Sequence, residues 1–364
     1  MNDNAYKIFF SLVRIAMKRQ NSLAYIPSKA EWYEVFKVAN MQAMLGVCFY
    51  GIQLLPKSES INIKNGRLFF TWVGLVAQIQ QRNHILNERC QSIIGKLKSE
   101  GFKCCILKGQ GVAHQYKEEL QTLRQSGDID VWIDADFKTL MKWAVAAGKI
   151  KEIGDHHINL CSDDTIEYEY HYTPCTLHHY WNNIKMQKWI KSVSNEQFVK
   201  KIETNDGFIF FAPTINFNLV FLMAHMHRHF FGEGLGLRQI IDYYYVLCKS
   251  SGKEQIEKKL NDFGLLNFSQ GIMWILQEKF HLENRYLVCK PNEKLGRFIL
   301  EEIMEGGNFG HYDTTRKLTN NASHMYRFFE KIKVGRRYLK YFPSEFLWTP
   351  ISYAREFLLS HKYR

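Results

Sequence analysis

The stretch from Cys104 to Asp134, CCILKGQGVAHQYKEELQTLRQSGDIDVWID, constrains this chain more than any other. It opens on a short apolar run, Cys104 to Leu107, which breaks at Lys108 and Gly109 and continues as a helical pattern from Val112 to Leu120. After a polar loop carrying Arg124 comes Asp128-Ile129-Asp130-Val131-Trp132-Ile133. Residues two apart in a strand project from one face, so Asp128 and Asp130 stand together while Ile129, Val131 and Ile133 point the other way. Two acids side by side repel unless something neutralises them, and a divalent cation bound by carboxylate oxygens does so. Glycine between a strand and a helix lets backbone N–H groups approach a phosphate. Either half alone is a weak signal; together they specify a site for metal and phosphate. Asp134 has the same parity but ends the strand.

Strand, glycine turn, helix and D-x-D strand resemble the way the polymerase-beta-like nucleotidyltransferase superfamily builds its site. More narrowly, Leu107-Lys108-Gly109, Tyr116, Arg124 and Gly127-Asp128-Ile129-Asp130 resemble the LKG, Y, R and DID pattern of an uncharacterised bacterial nucleotidyltransferase family. Leu177-His178, His225, His229, Arg238 and Asp242 extend the resemblance downstream. It implies an α+β fold, with a nucleotidyltransferase-type mixed sheet flanked by N- and C-terminal helical regions. It also implies Mg²⁺- (or Mn²⁺-) dependent transfer of a nucleoside monophosphate from a nucleoside triphosphate, such as ATP, to a hydroxyl of a small molecule or protein. Asp128 and Asp130 would hold the metal, and Lys108, Gly109 and Arg124 the phosphates. His225, His229, Arg238 and Asp242 would line the acceptor side of a cleft. The eighteen residues between Gly109 and Asp128 exceed the superfamily's usual spacer, although this family's own spacer is long.

A third carboxylate normally completes such a site, and in the resembling family it precedes a Leu-His pair in a pattern like VELH. Aligned on Leu177-His178, that position is Thr176. A threonine hydroxyl neither accepts a proton at neutral pH nor ligates Mg²⁺ as an anion does. Glu167 and Glu169, which share a face by parity, are substitutes; so is His178, whose ordinary pKa suits base work. If none serves, the chain is a catalytically impaired nucleotide-binding protein. His225 and His229, one helical turn apart, invite a zinc reading as well. No H-E-x-x-H arrangement and no nearby third ligand support it, which leaves a cleft wall or satisfied interior histidines. Arg238 and Asp242, also four apart, can simply pair with each other.

The chain divides into a helical region (1–100), a mixed core (101–205) and a second helical region with a basic tail (206–364). Helical spacing marks Ile8 to Ala16, Ala30 to Leu45 and Leu68 to Leu97. Asp136 is the expected N-cap of a helix ending near Gly148. His156 to Cys161, Ile166 to Tyr172 and Thr176 to Trp181 read as strands, the first two separated by a turn at Ser162-Asp163-Asp164-Thr165. Phe217 to Phe230 and Leu237 to Leu247 read as helices, joined by a glycine-rich connection that follows a helix and so is no dinucleotide fingerprint.

Net charge is +12, and the segment from Arg316 to Arg364 carries eleven Lys/Arg against three Glu. Interleaved aromatics there admit a nucleic-acid or anionic-membrane surface. The plainer reading is a solvated tail whose aromatics pack on the body, and no strong case for nucleic acid follows. No apolar run is long enough for a membrane span. The opening MNDNAYKIFF lacks a secretory pattern, and eight scattered cysteines without C-x-x-C give neither a zinc ribbon nor a disulfide framework, so the cytoplasm is the expected location.

Overall fold

The computed structural model describes residues 3–64, 66–161, 166–251, 254–315 and 324–362. Apolar residues at helical spacing bury one face of α1 (Asp3–Ala16), which packs on α2 (Lys29–Met41) and α3 (Leu45–Leu54). α2 starts at a capping box, in which the Ser28 side chain accepts from the Glu31 N–H and the Glu31 carboxylate accepts from the Ser28 N–H. The helix expected over Ala30 to Leu45 ends at Met41, just before Ala43 turns the chain at φ 54°, and α3, which the sequence did not mark as a separate helix, begins at Leu45. After α4 (Lys57–Lys64) comes α5 (Arg67–Ser99), whose 33 residues span about 50 Å. Its first half buries Leu68, Trp72 and Val76 in the larger helical core, and its second half lays Leu86, Cys90, Ile93 and Leu97 against the sheet.

The mixed core runs β1 (Cys104–Ile106), α6 (Lys108–Ala113), α7 (Glu118–Gln121), β2 (Ile129–Ile133), α8 (Phe137–Ala147), β3 (Ile150–Ile153), β4 (His157–Leu160) and β5 (Tyr168–His171). The strand order is β1-β2-β5-β4-β3, with β2 and β5 parallel and the other pairs antiparallel. Asp136 caps α8 through the Thr139 N–H. α9 (Tyr180–Val193), the hairpin β6 (Lys201–Glu203) and β7 (Ile209–Phe211), then α10 (Ile215–Gly232) and α11 (Leu237–Cys248) follow. α12 (Glu254–Asp262), α13 (Leu266–Phe280), α14 (Glu293–Gly306), α15 (His324–Gly335) and α16 (Pro343–Lys362) complete the second helical region. The fold is α+β, with helices on both flanks of a five-stranded mixed sheet.

Three local readings change. The helix expected from Val112 to Leu120 stops at Ala113 and resumes only as the single turn α7, because Tyr116 is drawn into a buried hydrogen bond with Asp242. Thr176 to Trp181 is not a strand but a loop entering α9, capped by His179. β3, a half-exposed edge strand of sequence IKEI, has too little apolar alternation to be read in advance. The turn expected at 162–165 lies outside the described residues.

The faces of the sheet follow the parity of β2. Ile129, Val131 and Ile133 join Cys104, Ile106, Ile158 and the α5 and α8 side chains in one core cluster. Trp132, on the opposite face, stacks on Phe217 of α10 at 5.3 Å and belongs to the larger cluster. Asp130 shares that second face, so its carboxylate looks toward the C-terminal helices. The close seat of α6 on β1 depends on Gly111, where an added Cβ would lie 2.2 Å from the Ile106 carbonyl oxygen. Gly111→Ala is therefore expected to destabilise the protein by at least about 1–3 kcal/mol, the usual range for overpacking against unyielding neighbours. A denaturant-unfolding midpoint equal to the parent's would contradict this.

Candidate active site

Parallel pairing of β2 with β5 sets Asp130 opposite Glu169 and Trp132 opposite His171. Because register and face are both fixed, two carboxylates and an imidazole converge. His171 Nε2 lies 2.9 Å from Asp130 Oδ1 and 3.4 Å from Glu169 Oε2. Lys108 Nζ reaches the same Asp130 oxygen at 2.7 Å. Asp128, one position before β2, keeps an accessible face although the cleft walls close around it. That crowding and the neighbouring Asp130 raise its carboxyl above the ordinary range, against the pull of Lys108. Burial alone would also raise Glu169, but its hydrogen bond to His171 and the charge of Lys108 hold it well below the usual carboxylate range. His171 is fully buried, which disfavours its charge; hydrogen bonds to Asp130 and Glu169 outweigh this and raise it. Lys108, likewise disfavoured by burial, is held charged by Asp130, Glu169 and Asp128 together.

The glycine turn supplies the lysine. Lys108 has φ 37° and Gly109 φ 32°, ψ −114°, two successive residues in conformations that L side chains avoid. Glycine adopts such a conformation freely, but at Lys108 the strain costs about 1–3 kcal/mol and persists where the surroundings over-determine it. Here it turns the chain sharply off β1 and points the Lys108 side chain back across the sheet at Asp130.

Arg124 and Arg238 divide differently than their sequence positions suggest. The Arg124 guanidinium is bidentate on Asp242, with Nε to Oδ1 and Nη2 to Oδ2 both at 2.7 Å, and its Nη1 donates to Ser126 Oγ at 2.6 Å. The Tyr116 hydroxyl donates to the same Asp242 oxygen at 2.7 Å. Asp242 thus pairs with Arg124 rather than with Arg238. Arg238 donates from Nη1 to the Gln125 carbonyl, while its Nε is buried without a hydrogen-bond partner among the described residues. Burial and the nearby Arg124 pull Arg238 down to about 10, with Asp242 and Asp128 opposing. A half-buried guanidinium over the Phe309 ring, with its Nε unused beside Asp128, is suited to an anion.

His225 and His229 face each other at 2.9 Å between their Nε2 atoms, and His229 Nδ1 contacts Glu233 at 3.1 Å. Burial, with Lys108 close by, keeps His225 neutral well below its usual pKa. His178 is buried against Thr349 (3.3 Å) and Glu345 (3.9 Å) of α16 and is pushed down by burial. Thr176 is not beside the aspartates: its hydroxyl donates to Asp155 Oδ2 at 2.7 Å and accepts from Arg228 Nη1 at 2.7 Å. Lys108, Gly109, Arg124, Asp128, Asp130, Glu169, His178, His225, His229, Arg238 and Asp242 line one cleft of about 700 Å³, which Tyr353, Glu356 and Phe357 of α16 also help to close, whereas Tyr116, Leu177 and Thr176 do not line it. Glu167, by contrast, is on the surface, paired with Lys151.

The sequence pattern missed His171, His156 and His157. A signal is present: Glu169-Tyr170-His171 is itself an E-x-H pattern, its histidine seven residues before that of Leu177-His178. The model of an uncharacterised nucleotidyltransferase family matches residues 28–281, more than two thirds of the chain. The chain belongs to this family. No curated protein and no solved structure matches it. The matched span contains Lys108, both aspartates, Glu169 and the α10–α11 histidines and arginine, whereas Phe309 and the α16 side chains of the cleft fall beyond it. No helix among the described residues is long and apolar enough to cross a membrane.

Proposed function

We propose that this family member is a divalent-cation-dependent nucleotidyltransferase that moves a nucleoside monophosphate from a nucleoside triphosphate to an acceptor hydroxyl. The observation that carries the reading is the register of Glu169 beside Asp130, which gives three carboxylates with Asp128 next to the Lys108–Gly109 turn. Mg²⁺ or Mn²⁺ fits these residues. Their donors are hard oxygens, and all three carboxylates are near enough to help hold Lys108 charged, Asp130 by direct contact at 2.7 Å. Bound there by Asp128, Asp130 and Glu169, the ion would supply charge neutralisation and a lowered pKa for the attacking hydroxyl.

The chain's own groups do the rest. The Gly109 turn exposes backbone to the triphosphate, and Lys108 and Arg238 supply positive charge to it. Arg124 braces the cleft wall through Asp242 rather than reaching the phosphates itself. Glu169, too weak a base for an unassisted hydroxyl, would take the proton of an acceptor hydroxyl whose own pKa the bound cation has lowered. That oxygen bonds to the α-phosphorus as the bond from the α-phosphorus to the bridging oxygen breaks, and pyrophosphate leaves with the electron pair. His225 and His229 line the acceptor side together with α16.

A nucleotide-binding protein without turnover is the second reading, and it rests on Thr176 standing for the third acid; the location of Glu169 weighs against it. Part of the basic C-terminal segment packs on the body rather than standing free. Lys331 donates to the Gly232 carbonyl at 3.0 Å, Arg337 pairs with Asp313 at 2.7 Å, and Tyr338 and Phe342 are buried. Arg316 and Lys317 lie outside the described residues.

Calorimetric titration of each nucleoside triphosphate with and without Mg²⁺, followed by assay of pyrophosphate release, tests the reading. Arg238→Ala should weaken triphosphate binding roughly tenfold to a hundredfold, the value of one charge-assisted hydrogen bond at about 1.5–3 kcal/mol. An unchanged affinity would remove Arg238 from the phosphate side.

A further inference from the structure

We propose that His156, His157 and His171 form a second metal site, for a transition-metal ion of the zinc class, at the β4–β5 edge of the carboxylate cluster. The three imidazoles make a near-equilateral triangle, with ring centroids 4.5, 5.3 and 5.4 Å apart. One ligand nitrogen from each lies within 4.8 Å of the others. An ion bound tetrahedrally at about 2.0–2.1 Å from nitrogen sets its ligand nitrogens about 3.3–3.4 Å apart and the ring centroids about 5 Å apart. His156 Nε2 and His157 Nδ1 are 3.3 Å apart.

The surroundings orient these rings as they do in metal sites. Asp155 Oδ1 holds His156 Nδ1 at 2.6 Å, leaving Nε2 for a ligand, and Asp155 is itself gripped by Arg228 at 3.0 and 3.1 Å. Asp130 holds His171 Nε2, leaving a fully buried Nδ1 without a hydrogen-bond partner among the described residues. A carboxylate on the far nitrogen fixes the tautomer and raises ligand basicity. Gly154 makes room for the third ring: a Cβ there would lie 2.8 Å from His157 Cε1. A mutual hydrogen bond explains the His156–His157 contact alone; it leaves the buried His171 nitrogen and the third corner unexplained. Imidazole donors select zinc-like ions over Mg²⁺, so the two sites are separable by metal. Three ligands leave a fourth position on the cleft, which His156 and His157 both line. This site does not depend on nucleotide transfer and would bind metal in a protein that never turns over.

The test is titration of the chelator-treated full chain with Co²⁺ alone, read by its visible d–d absorption, with Zn²⁺ as competitor and excess Mg²⁺ present. One equivalent with four-coordinate intensity, displaced by Zn²⁺ and not by Mg²⁺, is expected. His157→Asn should abolish the band, and Asp155→Asn should weaken binding about 10–100-fold. Asp128→Asn and the pair His225→Asn/His229→Asn should leave the stoichiometry intact. Should His157→Asn fail to fold by circular dichroism, Gly154→Ala, which only crowds the His157 ring, is the variant expected to lose affinity. Absence of a tight equivalent in the parent, parental affinity in the folded His157 or Gly154 variant, or loss in the His225/His229 pair would overturn the proposal.

Discussion

Asp128→Asn combined with Asp130→Asn is expected to abolish Mg²⁺-dependent binding of nucleoside triphosphate while leaving the fold in place. The two carboxylates share a sheet face, and Asp128 is raised partly because Asp130 is charged beside it. Neutralising both relieves that repulsion, which seldom unfolds a protein. Lys108 loses its 2.7 Å partner but retains Glu169 nearby, so its buried ammonium is not stranded. The cation, in contrast, loses two of three anionic ligands. A loss of at least about a hundredfold in affinity for the Mg²⁺ complex, near 2.7 kcal/mol, follows from even modest stabilisation per ligand. Weak metal-free binding through Lys108 and Arg238 should persist. Calorimetry with and without Mg²⁺ separates the two, and equal Mg²⁺-dependent affinity in parent and double variant would remove the aspartates from the metal site.

Glu169→Gln is expected to lower nucleotidyl transfer about 10²–10⁴-fold, the range for loss of general-base assistance, with the metal-free component of triphosphate binding unchanged. The companion variant is Thr176→Glu. Were the third acid missing, restoring one there would speed the reaction. The Thr176 hydroxyl, however, sits between Asp155 and Arg228, so a carboxylate in its place would crowd Asp155 and compete for the same guanidinium. No gain in rate and a lower unfolding midpoint are expected. A faster Thr176→Glu protein, or a Glu169→Gln protein at parental rate, would return the base to an unassigned group. Pyrophosphate release under single-turnover conditions is the measurement.

These contrasts show where the sequence is informative. Parity along β2 placed Asp128 and Asp130 opposite Ile129, Val131 and Ile133, because period-two alternation is a property of the local backbone. The glycine turn, the Asp136 cap and helices α5, α10 and α11 were legible for the same reason. The neighbour of Asp130 was not. Which strand lies beside β2, and in what register, depends on pairing across about forty residues, and a helix and two further strands intervene. Three aromatic-rich runs look alike in sequence, so nothing local singles out Glu169, rather than the Thr176 position, as the group that pairs beside Asp130. The partner of Arg124 is equally hidden, since Asp242 is 118 positions away and has Arg238 four residues before it as a nearer candidate.

That last pair bears on how a genetic screen of this protein would read. Arg124 and Asp242 are both buried, and truncating either leaves a lone charge inside, a loss of about 3–5 kcal/mol and a large share of a domain's stability. Substitutions at Arg124 and Asp242 would therefore score as inactive in any activity selection, alongside Asp128, Asp130 and Glu169. Soluble yield separates the groups. The first two would vanish from the soluble fraction, the three acids would remain in it, and a map of inactive alleles drawn without that control would enlarge the proposed site by a buried ion pair that holds its wall.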